Sequence, residues 1–153
     1  MSAPAAGRRA SPSKSCCPDA AMLKTEALRG AVGRVVLMDT ITKVDVGDTG
    51  AFVVSGSHGG TSSGEFALAV PLALAVCNDA GVGKDEAGVA ALVMLQARGT
   101  PACTVAHTSA RIGEARDTFE HGVVSRVNAA ARALGLREGL ALRAALEQLV
   151  GAT

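Results

Sequence analysis

The apolar run at residues 72–77, with the sequence LALAVC, is the feature of this chain that most limits its fold. No polar residue interrupts the run, which is typical of a strand that is covered on both faces in a parallel sheet. The next eleven residues, NDAGVGKDEAG, contain one amide, three acidic side chains, one lysine and three glycines. A strand that leads into a polar, glycine-rich loop and then into a helix is the ligand-binding arrangement of open α/β sheets.

The same order of strand, polar loop and helix recurs along the chain. Strand patterns, rich in apolar and β-branched residues, fall at residues 34–44, 51–57, 72–77 and 102–106. Helical patterns fall at residues 21–28, 63–70, 84–98, 123–134 and 138–150. Ser62 and Glu65 have the spacing of a capping box, and Asp85 is a suitable N-cap for the third helix. We therefore predict an α/β fold, with a single three-layer domain over residues 21–153 and a mostly parallel central sheet.

Residues 1–20 have a composition unlike that of the rest of the chain. They are rich in Ala, Ser and Pro and carry Arg8, Arg9 and Lys14, with no apolar segment after the charges. A secretory signal requires such a segment, so the sequence predicts a disordered N-terminal tail. The enrichment in Arg and Ser leaves an organelle-targeting segment as the alternative.

The composition argues against several classes of partner. With 15 basic and 14 acidic side chains the net charge is +1, so no long-range field attracts nucleic acid or an anionic membrane. The aromatic residues are Phe52, Phe66 and Phe119, too few to build a platform for stacked bases. No apolar run approaches the roughly 18 residues of a membrane helix. We expect a soluble, cytoplasmic protein that forms a homo-oligomer through its apolar terminal helices.

Three polar loops follow the predicted parallel strands, and parallel strands end at one edge of a sheet. These loops are SGSHGGTSSG at residues 55–64, CNDAGVGKDEAG at 77–88 and AHTSARIGEARD at 106–117. Each contains His, Lys or Arg in addition to turn-forming residues, which favours a shared site at that edge. The alternative is that the Gly, Ser, Asp and Asn residues only form turns.

Within these loops we assign candidate roles by chemistry. His58, Asp79 and His107 are the candidate catalytic residues, because imidazole and carboxylate groups transfer protons near neutral pH. For binding an anionic substrate, glycine amides, hydroxyls, an amide side chain and two cations are available. The candidate substrate-binding residues are Ser57, Gly59, Gly60, Asn78, Gly83, Lys84, Ser109 and Arg111.

Other chemistries fit the sequence less well. Gly83 and Lys84 are followed by Asp85 rather than Ser or Thr, and this spacing is not that of a phosphate-binding P-loop. A metal site formed by His58, His107 and His121 is left as an alternative, although we predict neither metal nor cofactor. Cys77 lies in an apolar run with no adjacent base, so we expect it to be packed rather than nucleophilic.

The sequence therefore predicts a small-molecule enzyme that acts on a small, anionic, non-aromatic metabolite by acid/base chemistry. Hydrolysis is slightly favoured over isomerisation and elimination. The alternative is a non-catalytic ligand-binding or structural subunit of an oligomeric complex.

Overall fold

Six strands form one sheet in the computed structural model, which describes residues 23–151. The strands are β1 Lys24–Arg29, β2 Arg34–Met38, β3 Phe52–His58, β4 Leu74–Asn78, β5 Ala102–Val105 and β6 Val124–Val127. The α-helices are α1 Thr61–Leu68, α2 Ala90–Ala97, α3 Ala115–His121, α4 Ala129–Leu134 and α5 Leu142–Val150. Short 3₁₀ segments lie at Ile41–Lys43, Val46–Asp48 and Lys84–Val89. The fold is a mixed α/β fold, as predicted.

The strands lie in the sheet in the order in which they occur along the chain. Strands β2, β3, β4 and β5 are parallel neighbours, whereas β1 pairs with β2 and β6 pairs with β5 in antiparallel fashion. The prediction of a mostly parallel sheet is confirmed for the four inner strands. The two antiparallel strands at its edges were not predicted.

Both edge strands replace helices that the sequence pattern predicted. The predicted helix at residues 21–28 is wrong over its described part, because Lys24–Arg29 pairs with β2 instead. The predicted helix at residues 123–134 is wrong in its first half, where Val124–Val127 forms β6. In both segments pairing with a buried neighbouring strand outweighs local helix propensity.

Three further helices begin at different residues from those predicted, and one of them, α5, starts at Leu142 rather than at residue 138. Helix α1 starts at Thr61 after Gly60, and its N-cap has no side-chain hydrogen bond in the described chain, so the Ser62 capping box is wrong. Helix α2 starts at Ala90 rather than at residue 84, because Asp85 and Glu86 have left-handed backbone angles, φ 57° and 58°. A right-handed helix cannot pass through such residues.

Apolar side chains along the inner strands alternate between two core clusters. Val35 and Leu37 belong to one cluster, and Val36 and Met38 to the other. Since successive side chains of a strand point to opposite faces, apolar packing covers both faces of the sheet. The first cluster includes residues of α3 and α5, and the second includes residues of α1 and α2.

None of the helices in residues 23–151 has the length and apolar character that a bilayer-spanning segment requires. The predicted tail, residues 1–20, lies outside the described residues.

Candidate functional site

Strands β3, β4 and β5 end side by side at one edge of the sheet. His58 at the end of β3 is in register with Asn78 of β4, which is in register with Val105 of β5. Backbone hydrogen bonds continue just beyond the strands: the N–H of Gly59 donates to the carbonyl of Asn78, and the N–H of Asp79 to that of Val105. The three polar loops therefore leave the sheet at the same edge.

Asp79 and His107 form a carboxylate–imidazole pair at this edge. Asp79 is 5% exposed, and its Oδ1 accepts hydrogen bonds from the backbone N–H of Gly81 at 2.8 Å and of His107 at 3.1 Å. The same oxygen lies 3.4 Å from Nδ1 of His107. Burial raises the pKa of Asp79, but hydrogen bonds from Gly81, Ser125 and His107 together lower it below the ordinary value. Asp79 is therefore ionised at neutral pH.

The arrangement gives the two side chains different roles. The His107 ring makes no hydrogen bond to this carboxylate within the described residues, and the interaction between the two side chains at 3.4 Å is electrostatic. The His107 side chain is 52% exposed, and its ring lies over Gly81, where an added Cβ would be 3.5 Å from Cε1. The half-exposed His107 imidazole can thus act as a general base or acid, whereas Asp79 is an ionised carboxylate beside it.

His58 lies at the boundary of two cavities, and its residue is exposed. The first cavity, of ≈ 470 Å³, lies between the start of α1 and the loop after β4, and we call it the loop cavity. It is lined by His58, Gly60, Thr61, Ser62, Ala80, Val82, Gly83, Ala87, Gly88 and Ala90. The second cavity, of ≈ 350 Å³, lies between the turn after β2, the end of β3 and α1, and we call it the hydroxyl cavity. It is lined by Asp39, Thr40, Ile41, Thr42, Gly56, Ser57, His58, Ser62, Ser63, Phe66, Ile112 and Gly113.

Of the two glycines after His58, Gly60 lines the loop cavity and Gly59 does not. Gly59 is buried, its N–H donates to Asn78, and an added Cβ would lie 2.6 Å from the carbonyl oxygen of Gly88. It allows two loops to approach closely, but its N–H is already used. Gly60 precedes the first turn of α1 and packs against the His58 ring, and it lines the cavity itself.

Several predicted substrate-binding side chains hold the loops together. The Asn78 side chain is fully buried; its Nδ2 donates to the carbonyl of Ala110, and its Oδ1 accepts from the N–H of Ala80. The Ser109 hydroxyl donates to the carbonyl of Ala106 and accepts from the N–H of Val123. These bonds occupy the polar atoms that the prediction assigned to a ligand.

The predicted cations lie at the surface. The Arg111 side chain is 79% exposed, with Nη1 3.9 Å from Glu114 Oε1. Lys84 is exposed, and its side chain makes no hydrogen bond or ion pair with residues 23–151. Over the described part of the chain, neither cation lines the two cavities beside His58, whereas Gly83 lines the loop cavity. The structure thus groups His58, Gly60 and Gly83.

The loop after β4 has an unusual backbone. Ala80, Val82, Asp85 and Glu86 all have positive φ, between 52° and 69°. This region costs a residue other than glycine about 1–2 kcal/mol, and a β-branched residue such as Val82 rarely adopts it. Two backbone hydrogen bonds of 2.7 Å hold the loop. The N–H of Val82 donates to the carbonyl oxygen of Asp79, and the N–H of Gly88 donates to the carbonyl oxygen of Val82. Strain of this kind is common at functional sites.

The third histidine lies apart from the other two. His121 Nδ1 is 2.9 Å from Oδ1 of Asp117, one turn earlier on α3. Within residues 23–151, no three potential metal ligands converge.

The cysteines of β4 and β5 are buried. Burial raises the pKa of the Cys77 thiol to about 11 and raises that of Cys103 further. The Cys77 Sγ is 3.7 Å from the hydroxyl of Ser55, so it is a packed thiol, as predicted.

Sequence reasoning missed the residues that support Asp79 from β6. The Ser125 hydroxyl hydrogen bonds to Asp79 and lies 2.9 Å from the hydroxyl of Thr104 on β5. Ser125 lies in the segment predicted as helix, so its alignment with β5 was not foreseen. The alternation VSRV at residues 124–127 was the available signal.

Comparison with known proteins adds no assignment, since no family model, curated protein or solved structure matches the chain significantly.

Proposed function

We propose that this protein is a small-molecule enzyme that performs acid/base chemistry on a small, anionic, non-aromatic metabolite. The observation that carries the proposal is the Asp79–His107 pair at the carboxyl edge of the parallel strands. An ionised, buried carboxylate 3.4 Å from Nδ1 of a half-exposed histidine supports a general-base role for that imidazole. Hydrolysis is the favoured reaction, because such a base activates water.

The proposed substrate lies between His107 and the cavities beside His58. The loop after β4 is close to both histidines: an added Cβ on Gly81 would lie 3.5 Å from the His107 ring, while Ala80 and Val82 line the loop cavity with His58. Lys84 and Arg111 supply positive charge on exposed, flexible side chains at the same edge. The backbone N–H groups at the start of α1, which point along the helix dipole, favour the anionic group.

One observation favours the alternative, a subunit that binds a ligand without converting it. In the described chain, His107 lines neither of the two cavities beside His58. A ligand confined to the loop cavity would contact His58 and backbone groups but no oriented base.

Turnover by the full chain separates the two functions. We would incubate it with a panel of small carboxylates, phosphate esters, amides and lactones, and follow products by mass spectrometry and ligand binding by thermal shift. His107→Gln is expected to lower turnover about 10²- to 10⁴-fold, the usual contribution of a general base, while the ligand still stabilises the fold. His121→Gln is the matched control, because His121 also lies beside an aspartate.

Unchanged turnover in His107→Gln would remove His107 from the mechanism. If panel compounds stabilise the wild-type protein but are never converted, the protein is a ligand-binding subunit rather than an enzyme.

We also propose the finer architecture that the sequence predicted, a three-layer domain that forms homo-oligomers in the cytoplasm. Support for the layers comes from the two core clusters, which contain alternate residues of the same strands. Light scattering of the purified chain tests the oligomer, and a monomeric mass at all concentrations would contradict it.

A further inference from the structure

The hydroxyl cavity has a lining that differs from that of the loop cavity. Five of its lining residues carry hydroxyl groups, and they come from three segments of the chain. They are Thr40, Thr42, Ser57, Ser62 and Ser63. His58 is part of the same wall, so the cavity opens beside a candidate catalytic residue.

The hydroxyl groups keep hydrogen-bonding capacity for a ligand. Thr40 Oγ1 and Thr42 Oγ1 are 3.1 Å apart, and Ser57 Oγ accepts from the N–H of Ile41 at 3.0 Å. Ser63 Oγ also donates to the carbonyl of His58, and Ser57 Oγ lies 3.5 Å from Thr40 Oγ1. Because each hydroxyl has one donor and two acceptor positions, the positions left for a ligand are mainly acceptor positions. Ser62 lies at the rim, and its hydroxyl makes no hydrogen bond with the described residues.

Among the described residues, Asp39 is the charged side chain in the cavity lining besides the titratable His58. Both oxygens of the Asp39 carboxylate are engaged by the protein: Oδ1 accepts from the N–H of Ala115 and Oδ2 from that of Leu23. The apolar part of the rim is formed by Phe66, which is 40% exposed, and Ile112, which is 51% exposed. Neutral donors and acceptors beside exposed apolar side chains match a molecule with hydroxyl groups along a carbon chain.

We propose that the hydroxyl cavity is a subsite for the polyhydroxylated part of the substrate, so that the substrate is an anionic polyol such as a sugar acid or a sugar phosphate. The volume of ≈ 350 Å³ lies near the lower end of small-ligand sites, which admits a chain of a few carbons. The assignment of an anionic group to the substrate depends on the proposed function, which places that group in the loop cavity, on the other side of His58. The hydroxyl subsite rests on the cavity itself.

Three six-carbon probes test the subsite: gluconate, which has both charge and hydroxyl groups, hexanoate, which has only the charge, and sorbitol, which has only the hydroxyl groups. Binding to the full chain is measured by NMR titration, with shifted amide signals identifying the residues. Gluconate is expected to bind about tenfold more tightly than hexanoate, since one or two hydrogen bonds contribute this much. The signals of Thr42 and Ser57 should shift with gluconate but not with hexanoate.

Variants assign the effect to the cavity. Thr42→Val and Ser62→Ala should each weaken gluconate several-fold and leave hexanoate unchanged. Thr100→Val is the matched control, because Thr100 precedes β5 at the opposite edge of the sheet. Two variants on different segments keep the test valid if one of them folds poorly.

Each outcome decides a separate part of the proposal. Equal affinity for gluconate and hexanoate, or no binding of any probe, overturns the polyol subsite. Sorbitol binding as tightly as gluconate, with the same dependence on Thr42, supports the subsite and contradicts the anionic substrate of the proposed function. Gluconate binding with shifts away from Thr42, Ser57 and Ser62 overturns the location.

Discussion

Replacing Asp79 by Asn is expected to destabilise the protein in a pH-dependent manner. Asp79 accepts hydrogen bonds from the backbone N–H groups of Gly81 and His107 and from the Ser125 hydroxyl. A hydrogen bond to a charged acceptor contributes about 1 kcal/mol more than one to a neutral acceptor. Loss of the charge from two backbone hydrogen bonds would therefore lower the free energy of unfolding by about 2 kcal/mol. Because a neutral amide is easier to bury than a carboxylate, we expect a net loss of about 1–2 kcal/mol at pH 7.

The sign of the pH dependence follows from the lowered pKa of Asp79. Its carboxylate stabilises the folded state fully above the ordinary value of 3.8, and this stabilisation is lost as the pH falls through the lower folded-state pKa. The difference in stability between wild type and Asp79→Asn should thus be constant from neutral pH to about pH 5 and should shrink in more acidic solution.

Urea unfolding at a series of pH values, followed by circular dichroism, measures this difference. Asp117→Asn is the control, because the Asp117 carboxylate also accepts a backbone N–H and faces a histidine, but its side chain is 26% exposed. We expect a much smaller change in the control. An equal loss in both variants, or a loss in Asp79→Asn that persists undiminished in acid, would refute the reasoning from a buried, ionised carboxylate.

Three further predictions concern the scaffold around the site, and each is checked by urea unfolding. Gly88→Ala should lower the free energy of unfolding by about 3 kcal/mol, because its Cβ would overlap the carbonyl oxygen of Asp79. Gly83→Ala, which has open space around its Cβ at φ 74°, should lower it by only about 1 kcal/mol. Similar losses in the two variants would contradict the overlap at Gly88. Asn128→Ala should lower the free energy of unfolding by about 3 kcal/mol, because this 7% exposed side chain caps α4 and makes three further hydrogen bonds, to Leu92 of α2 and to Thr100 and Ala102. A loss below about 1 kcal/mol would contradict this reasoning. Glu86→Gly should stabilise the protein by about 0.5 kcal/mol, because glycine adopts the left-handed backbone at φ 58° without strain. Destabilisation by this substitution would contradict a left-handed backbone at residue 86.

Three of the four inner strands were predictable because continuous apolar runs indicate burial directly, whereas the strand predicted over residues 34–44 ends at Met38. The patterns at residues 51–57 and 72–77 correspond to Phe52–His58 and Leu74–Asn78, within two residues at each end. The edge strands were not predictable in the same way. Lys24–Arg29 has charged residues at both ends and pairs with one neighbour only, so its sequence resembles an amphipathic helix.

The location of the candidate site was predictable from topology, but the roles of its residues were not. Parallel strands bring their carboxyl ends together, so His58, Asp79 and His107 had to share one edge. Whether a polar side chain faces a ligand or holds a loop depends on its partners in space. Asn78 bonds to Ala110, which lies 32 residues away, and no local pattern encodes that contact. The left-handed angles of Val82 also lack a sequence signal, since valine disfavours them.

The consecutive residues Asn78 and Asp79 together explain how a loop histidine acquires a fixed position. Asn78 joins the loop after β4 to the loop after β5 through the carbonyl of Ala110, and Asp79 joins the same loops through the backbone N–H of His107. Both residues also bond to the N–H groups of their own loop, at Ala80 and Gly81. The backbone of His107 is thus anchored to the end of a buried strand while its ring stays half exposed. General-base catalysis requires a reactive group that is held rigidly and is open to the substrate. A loop that served only as a turn would need neither the Asn78–Ala110 nor the Asp79–His107 hydrogen bond.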